Sequence, residues 1–143
     1  MSSPADLQAE FMSSKYFAVV GASSDPNKFG NKVLKWYIEH NKSVTPINPK
    51  DAEISGIPAK KSISELEHPT ETAISVTTPP AVTLKVLKEA HEIGIAYIWV
   101  QPGAENDEVI AYAQDNNIKL IAGGPCVLAN GKGILESLEA NKL

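Results

Sequence analysis

Phe17-Ala-Val-Val-Gly21 is a run of four apolar residues that stops at a glycine, and the whole chain can be read outward from it. A strand with one face in water alternates apolar and polar side chains, whereas a strand covered on both faces does not. This run does not alternate, so it predicts the first strand of a parallel sheet buried on both sides. Four further short runs read as strands: Ser43-Val-Thr-Pro-Ile47, Ala73-Ile-Ser-Val-Thr77, Ala96-Tyr-Ile-Trp-Val100, and Ile118 to Ala122. Pro46 is tolerated near the end of the second, where a ladder donor is least needed.

Helical patterns fill the gaps. Val33, Leu34, Tyr37 and Ile38 recur at helical spacing through Asn31 to His40. After the third strand, Thr78 is suited to an N-cap and Pro79 to the first helical position, and Gly94 stops the helix. Val82, Val86, Leu87, Ala90 and Ile93 form one apolar face between them. Asn106, followed by Asp107 and Glu108, starts another helix, the acids favouring its positive N-terminal dipole. Ile134 to Ala140 predicts a last short helix, and Asp6 to Met12 a docking helix within an N-terminal extension over residues 1–14 whose first residues fray. Asp51 to His68 reads as a loop with a helical turn around Ser62 to Leu66. Parallel strands need crossover connections, which predicts an α/β, Rossmann-like, doubly wound sheet of about five strands in the order 3-2-1-4-5, with helices on both faces. With 143 residues, the chain suits one domain over 1–143.

Composition narrows the function. A formal net charge of −4 offers no basic field for a nucleic acid backbone, so any phosphate site must be local. No apolar run approaches the ~20 residues needed to span a bilayer, so no membrane partner is expected. The single cysteine, Cys126, suits a reducing compartment, and the cytoplasm is the expected location.

In an open parallel sheet ligands bind beyond the carboxyl ends of the strands, where the crossovers reverse. Under the predicted order that point lies between the first and fourth strands. The segments there are Gly21-Ala-Ser-Ser-Asp25 running on through Lys28 to Gly30, Asn48-Pro49-Lys50, Thr77-Thr78-Pro79-Pro80, Val100-Gln101-Pro102-Gly103, and Gly123-Gly124-Pro125-Cys126. Gly21 permits a tight turn, Ser23 and Ser24 add hydroxyl donors, and the following helix directs backbone N–H groups at an anion. The spacing is not G-x-G-x-x-G, and the G-K-[ST] ending of a nucleotide-hydrolase loop is absent. An NAD site presents an acid to the ribose 2′-hydroxyl after the second strand; this chain presents Asn48, Pro49 and Lys50. A cation there favours a phosphorylated ribose, which lowers NAD and raises NADP and coenzyme A. Plain solvation is the other reading of Lys50 and of Lys28.

Taken in order, the segments VVGASSDPNKFGNKV, TPINPK, ISVTTPP, YIWVQPGAENDEVIAYAQDNNIKLI and GGPCVL resemble the CoA-binding domain family, over roughly residues 12–130. That family includes small stand-alone CoA-binding proteins and the N-terminal domain of the succinyl-CoA ligase alpha subunit. The resemblance implies coenzyme A, or an acyl-CoA, at the strand ends. It implies that Gly21, Ala22, Ser23, Ser24 and Asp25 hold phosphates, with Pro49 and Lys50 as a further phosphate contact. Thr77, Thr78 and Pro79 would line the pocket wall, as would Val100, Gln101 and Pro102. The resemblance does not extend to the ligase's phosphohistidine domain, so ligase chemistry is not expected.

Other residues attract chemical readings less well than structural ones. His40 stands where a helix C-terminus welcomes a cation, and His68 and His91 lack metal-ligand spacing. The acidic pairs are explained by helix faces and caps. Trp36 and Trp99 sit among apolar neighbours and read as core. Cys126 reads as a small buried apolar residue, although a mixed disulfide with the coenzyme A thiol is the alternative. Ser23 and Ser24 lack a nucleophile elbow. The expected function is therefore a non-catalytic or regulatory module binding coenzyme A or an acyl-CoA. The alternatives are an NADP-linked reductase, or the CoA-binding subunit of an acyl-CoA ligase or transferase completed by another chain. A protein partner or a second copy is compatible with either.

Overall fold

In the computed structural model, which describes residues 3–124 and 126–141, the five apolar runs form one parallel sheet. The strands of that sheet are β1 (Tyr16–Val20), β2 (Val44–Ile47), β5 (Thr72–Val76), β6 (Tyr97–Val100) and β7 (Lys119–Ile121). Alternate residues of β1 enter different cores: Phe17 and Val19 pack with Phe11, Tyr37 and Trp99, while Ala18 and Val20 pack with Ile74, Leu87 and Ile98. Burial on both faces is thus what the lack of alternation encodes. Helices α1 (Pro4–Met12), α2 (Phe29–Glu39) and α5 (Val127–Asn141) contribute to the first core, and α3 (Pro80–Ile93) and α4 (Asp107–Asp115) to the second. Ser75, fully buried in β5, is satisfied by a 2.6 Å hydrogen bond with the Tyr37 hydroxyl. Burial also pushes the Tyr37 phenol above its ordinary pKa and keeps it protonated.

The strand order is β2-β1-β5-β6-β7. Counted over the five predicted strands this reads 2-1-3-4-5, so the third predicted strand lies against the first and not outside the second. What lies outside β2 is a short hairpin, β3 (Glu53–Ile54) and β4 (Ile57–Pro58), followed by a single parallel bridge between Ile47 and Lys60. Lys60 donates to the Pro46 carbonyl at 3.0 Å and accepts from Asn48 at 2.9 Å. If that bridge is counted as a one-residue third strand, the order 3-2-1-4-5 fits, with β7 added at the far edge. The consequence is local but matters for the site. The crossovers reverse between β1 and β5, so the run Ala73 to Thr77 stands beside β1 where the predicted numbering had the run Ala96 to Val100.

Element boundaries moved by a few residues for identifiable reasons. Ser3 caps α1 through a capping box with Asp6, which starts that helix before Asp6. The N-cap of α3 is Pro79 and not Thr78, whose hydroxyl instead pairs with Thr83 at 2.8 Å. Gly94, at φ +87°, ends α3 as expected, and Asn106 caps α4 through Val109. The last helix starts at Val127, well before Ile134. The expectations placed on Met1, Ser2 and Pro125 lie outside the described residues.

Candidate functional site

At the carboxyl edge the chain leaves β1 through Gly21, whose φ of +89° is open to glycine and strained for other residues. A β-carbon on Gly21 would stand 2.5 Å from the Thr77 Oγ1, and one on Gly30 would collide with the Gly21 carbonyl. Two glycines nine positions apart therefore let the start of α2 settle directly on the turn after β1. Thr77 clamps the same point from β5: its N–H and its hydroxyl both donate to the Val20 carbonyl, each at 2.9 Å. Gly21 in turn donates to the Ile47 carbonyl of β2. The ends of three strands are tied together where the crossovers reverse.

The loop between Gly21 and α2 is shaped by its own polar groups. The Ser23 hydroxyl accepts from the Asp25 N–H at 3.1 Å, and the Asp25 carboxylate accepts from the Asn27 N–H at 2.9 Å. Lys28 occupies the N-cap position of α2 without a side-chain cap bond, so no side chain there competes with an anion for the helix dipole. Asn31, 3% exposed, donates from Nδ2 to the Ser23 carbonyl, while its Oδ1 is buried without a partner. Ser24 is exposed and lies 3.4 Å from the Asp51 carboxylate.

Asn48 stitches this loop to the one after β2. Its Nδ2 donates to the Ala22 carbonyl at 2.9 Å, and its Oδ1 accepts from the N–H groups of Lys50 at 2.7 Å and Asp51 at 3.0 Å. Sequence reading registered Asn48 only as the residue standing where an NAD site has an acid; its bracing role comes from hydrogen bonds across 26 positions. Lys50 is exposed beside it.

A groove of about 370 Å³ opens between these loops and α3, with Val20, Gly21, Ile47, Pro49, Thr78 and Pro79 along its strand-end side. Four of the predicted site residues, Gly21, Pro49, Thr78 and Pro79, thus share one cavity. The loop after β6 takes a different part. Val100 and Gln101 are fully buried, and the Gln101 Oε1 accepts from the Val127 N–H at 3.0 Å, capping α5. Its Nε2 is buried without a partner, and Pro102 lies exposed outside the groove. Cys126 is half-buried and donates from its backbone to Asn130. A larger hollow of about 500 Å³, among Glu10, Lys15, Thr70, Glu71 and Tyr97, lies at the opposite edge of the sheet, where parallel strands do not present ligand loops.

Residues 15–132 match the CoA binding domain as a family. The chain belongs to that family. Within it, the chain is 34% identical over 119 residues to the ADP-forming acetate–CoA ligase of Methanocaldococcus jannaschii, a match covering 82% of this chain and 16% of the ligase. It is also 34% identical over 86 residues to the alpha subunit of ADP-forming acetate–CoA ligase II of Pyrococcus furiosus, which covers 59% of this chain and 19% of that subunit. The CoA-binding domain described here therefore spans less than a fifth of the length of either ligase chain. Among solved structures, a conserved hypothetical protein from Pyrococcus furiosus superposes with a TM-score of 0.76 at 36% identity, over 81% of this chain and 98% of that one. A hypothetical protein from Pyrococcus horikoshii reaches 0.83 at 25% identity over 94% and 93%.

The residues of this CoA-binding domain fit a phosphate-bearing cofactor on structural grounds of their own. The Gly21–Gly30 approach makes a cradle that a β-carbon would fill, beside a helix start without a side-chain cap. The carbonyls of Ala22 and Ser23 are taken up by the Asn48 and Asn31 amides, and Ser24, Asp25 and Lys28 beyond them are exposed. No helix among the described residues is long and apolar enough to cross a membrane.

Proposed function

We propose that this domain binds coenzyme A or an acyl-CoA at the carboxyl ends of β1, β2 and β5, as a non-catalytic or regulatory module of the cytoplasm. The observation that carries the reading is the cradle where Gly30 rests on Gly21 at the reversal of the crossovers. In this reading the amides and hydroxyls from Gly21 through Asp25 take the pyrophosphate. Lys28 and Lys50, both exposed, supply charge to it and to the ribose phosphate. Pro49, Thr77, Thr78 and Pro79 form the wall. Val100, Gln101 and Pro102 support the far side, with Gln101 acting through its hold on α5. In this reading affinity is the product of the edge, and the Ser24 hydroxyl, 3.4 Å from the Asp51 carboxylate, serves the phosphates and the shape of the loop.

Isothermal calorimetry on the purified chain tests this. Saturable binding of coenzyme A with one site per chain is expected, with NADPH binding at least tenfold more weakly, a difference of about 1.4 kcal/mol. Tighter binding of NADPH would favour the NADP-linked alternative, and failure to bind coenzyme A would overturn the proposal.

A second reading is favoured by the 34% identity to two acetate–CoA ligases. The domain would then be the CoA-binding part of an acyl-CoA ligase or transferase completed by another chain. Affinity purification from its own cells checks this. A co-eluting ligase-like chain in fixed proportion supports the second reading, and its absence together with coenzyme A binding supports the first.

A further inference from the structure

The turn that starts α5 carries groups that the phosphate cradle does not use. Its backbone donors are already taken: the Val127 N–H by the Gln101 Oε1 at 3.0 Å and the Cys126 N–H by the Asn130 Oδ1 at 2.9 Å. A phosphate therefore finds no free amide at those two positions. What the turn still presents is the thiol of Cys126, half-buried and free, in a chain with no other cysteine. Beside it, the Nε2 of Gln101 has no exposed surface and no partner, on the same amide whose Oε1 is fixed to the residue after Cys126. Burial makes an unpaired N–H costly, and negative charge brought to the turn offsets that cost.

The distance from the cradle suits the thiol end of coenzyme A. Helices α2 and α5 lie side by side on one face of the sheet: the Trp36 ring fills the space of a β-carbon on Gly131, and Ala22, Val33 and Val127 share one core. Gln101 stands two strands along from Gly21 in the order β1-β5-β6, about 10 Å at the usual strand spacing. The arm of coenzyme A between pyrophosphate and sulfur extends to on the order of 15 Å. Phosphates held over Gly21 to Asp25 therefore leave the sulfur within reach of Cys126. Between the two, at the first turn of α2, the buried Oδ1 of Asn31 has no partner. Phosphate oxygens cannot satisfy an acceptor, whereas an amide N–H of the arm can.

Resting on the coenzyme A reading, we infer that Cys126 is a thiol–disulfide exchange site that takes up coenzyme A covalently from a disulfide of the cofactor. The Cys126 sulfur, its proton released to solvent, attacks the cofactor's sulfur. A new S–S bond joins Cys126 to coenzyme A as the old S–S bond breaks, and the second thiol leaves as a thiolate that takes a proton from water. Cys126 is oxidised to the mixed disulfide, and the departing half of the cofactor disulfide is reduced. The positive end of α5 and the unpartnered N–H of Gln101 stand beside the sulfurs that share the negative charge. Small thiols reverse the step, so the module registers the oxidation of the cofactor pool.

Intact-mass spectrometry of the reduced wild-type chain tests the assignment, with coenzyme A disulfide and pantethine, the disulfide of the same arm without nucleotide, at equal concentrations. Coenzyme A disulfide is expected to add one coenzyme A per chain, removed by dithiothreitol. It should do so about tenfold or more faster than pantethine adds its half, because binding at the cradle raises the local concentration of the disulfide. Equal rates would make Cys126 an exposed thiol and nothing more, and no adduct would leave it inert; either result overturns the exchange site. Calorimetry with reduced coenzyme A separates the two levels. If the reduced cofactor binds, the coenzyme A reading stands whatever the mass spectra show, and if it does not, both fall.

Discussion

The loops after β1 and β6 leave the same edge of the same sheet, and both belong to the set of strand ends from which a cofactor would be held, yet they are built in opposite ways. After β1 the backbone turns at positive φ, packs glycine on glycine, and keeps Ser24, Asp25 and Lys28 in solvent. After β6, Val100 and Gln101 have no exposed surface, and the Gln101 amide grips the first turn of α5. The difference lies in what covers each strand end. The start of α2 meets the strand end directly over Gly21 and carries no side-chain cap. A helix held through an intervening side chain, as α5 is through Gln101, closes the strand end off. Position at the carboxyl edge therefore makes a loop available for a ligand only where no helix is fastened over it, and the helix fastened over the end of β6 is α5, which follows β7.

The largest effect is expected at Gly30. A methyl group there meets the Gly21 carbonyl, which is backbone and cannot swing away. Gly30→Ala should lower stability by ~3 kcal/mol in urea unfolding, and coenzyme A affinity should fall with it. Retention of both would show that the cradle is looser than its geometry. Gln101→Ala comes next. It strips the α5 cap and opens a cavity, and should cost about 2 kcal/mol in stability with coenzyme A affinity changed less than about twofold. A large loss of affinity at unchanged stability would erase the contrast between the loops and make Gln101 a ligand contact.

These two residues also show what a sequence can disclose. The buried strands were legible because burial on both faces writes itself as a run without alternation, and Gly94 and Asn106 were legible because caps act through neighbours in the chain. Gly30 was not singled out: its importance is contact with a carbonyl nine residues earlier, across a loop whose path no local pattern specifies. The hairpin β3–β4 was missed because two-residue strands are too short to show a period, and the single Ile47–Lys60 bridge beside it leaves no pattern at all. The start of α5 was hidden by Gly131 and Gly133, which weaken helix propensity; Gly131 is there because Trp36 occupies the space of its β-carbon. On α3 the apolar stripe was visible, but which of its residues would be covered was not: Val82 and Leu87 both belong to it, and only Leu87 is packed over. In the site, the residue types of the β1 loop were readable, whereas the bracing by Asn48 depended on a contact across 26 positions of the chain.

Asn48 and Lys50 give the finer tests, because they separate shaping the open loop from contacting its ligand. Asn48→Ala removes the bond to Ala22 and two acceptor contacts at once, and should cost about 1.5 kcal/mol in thermal or urea unfolding together with several-fold weaker coenzyme A binding. Lys50→Ala removes an exposed side chain whose backbone, not its ammonium, is tied to Asn48. Stability should therefore stay unchanged. Coenzyme A affinity should fall by about threefold at low salt and by less as ionic strength rises, since an exposed charge is screened over ~8 Å at physiological salt. Titrations of wild type and variant at two salt concentrations read this directly. An equal loss at both concentrations would mean that Lys50 acts by shaping the loop, as Asn48 does, and equal binding throughout would return it to plain solvation.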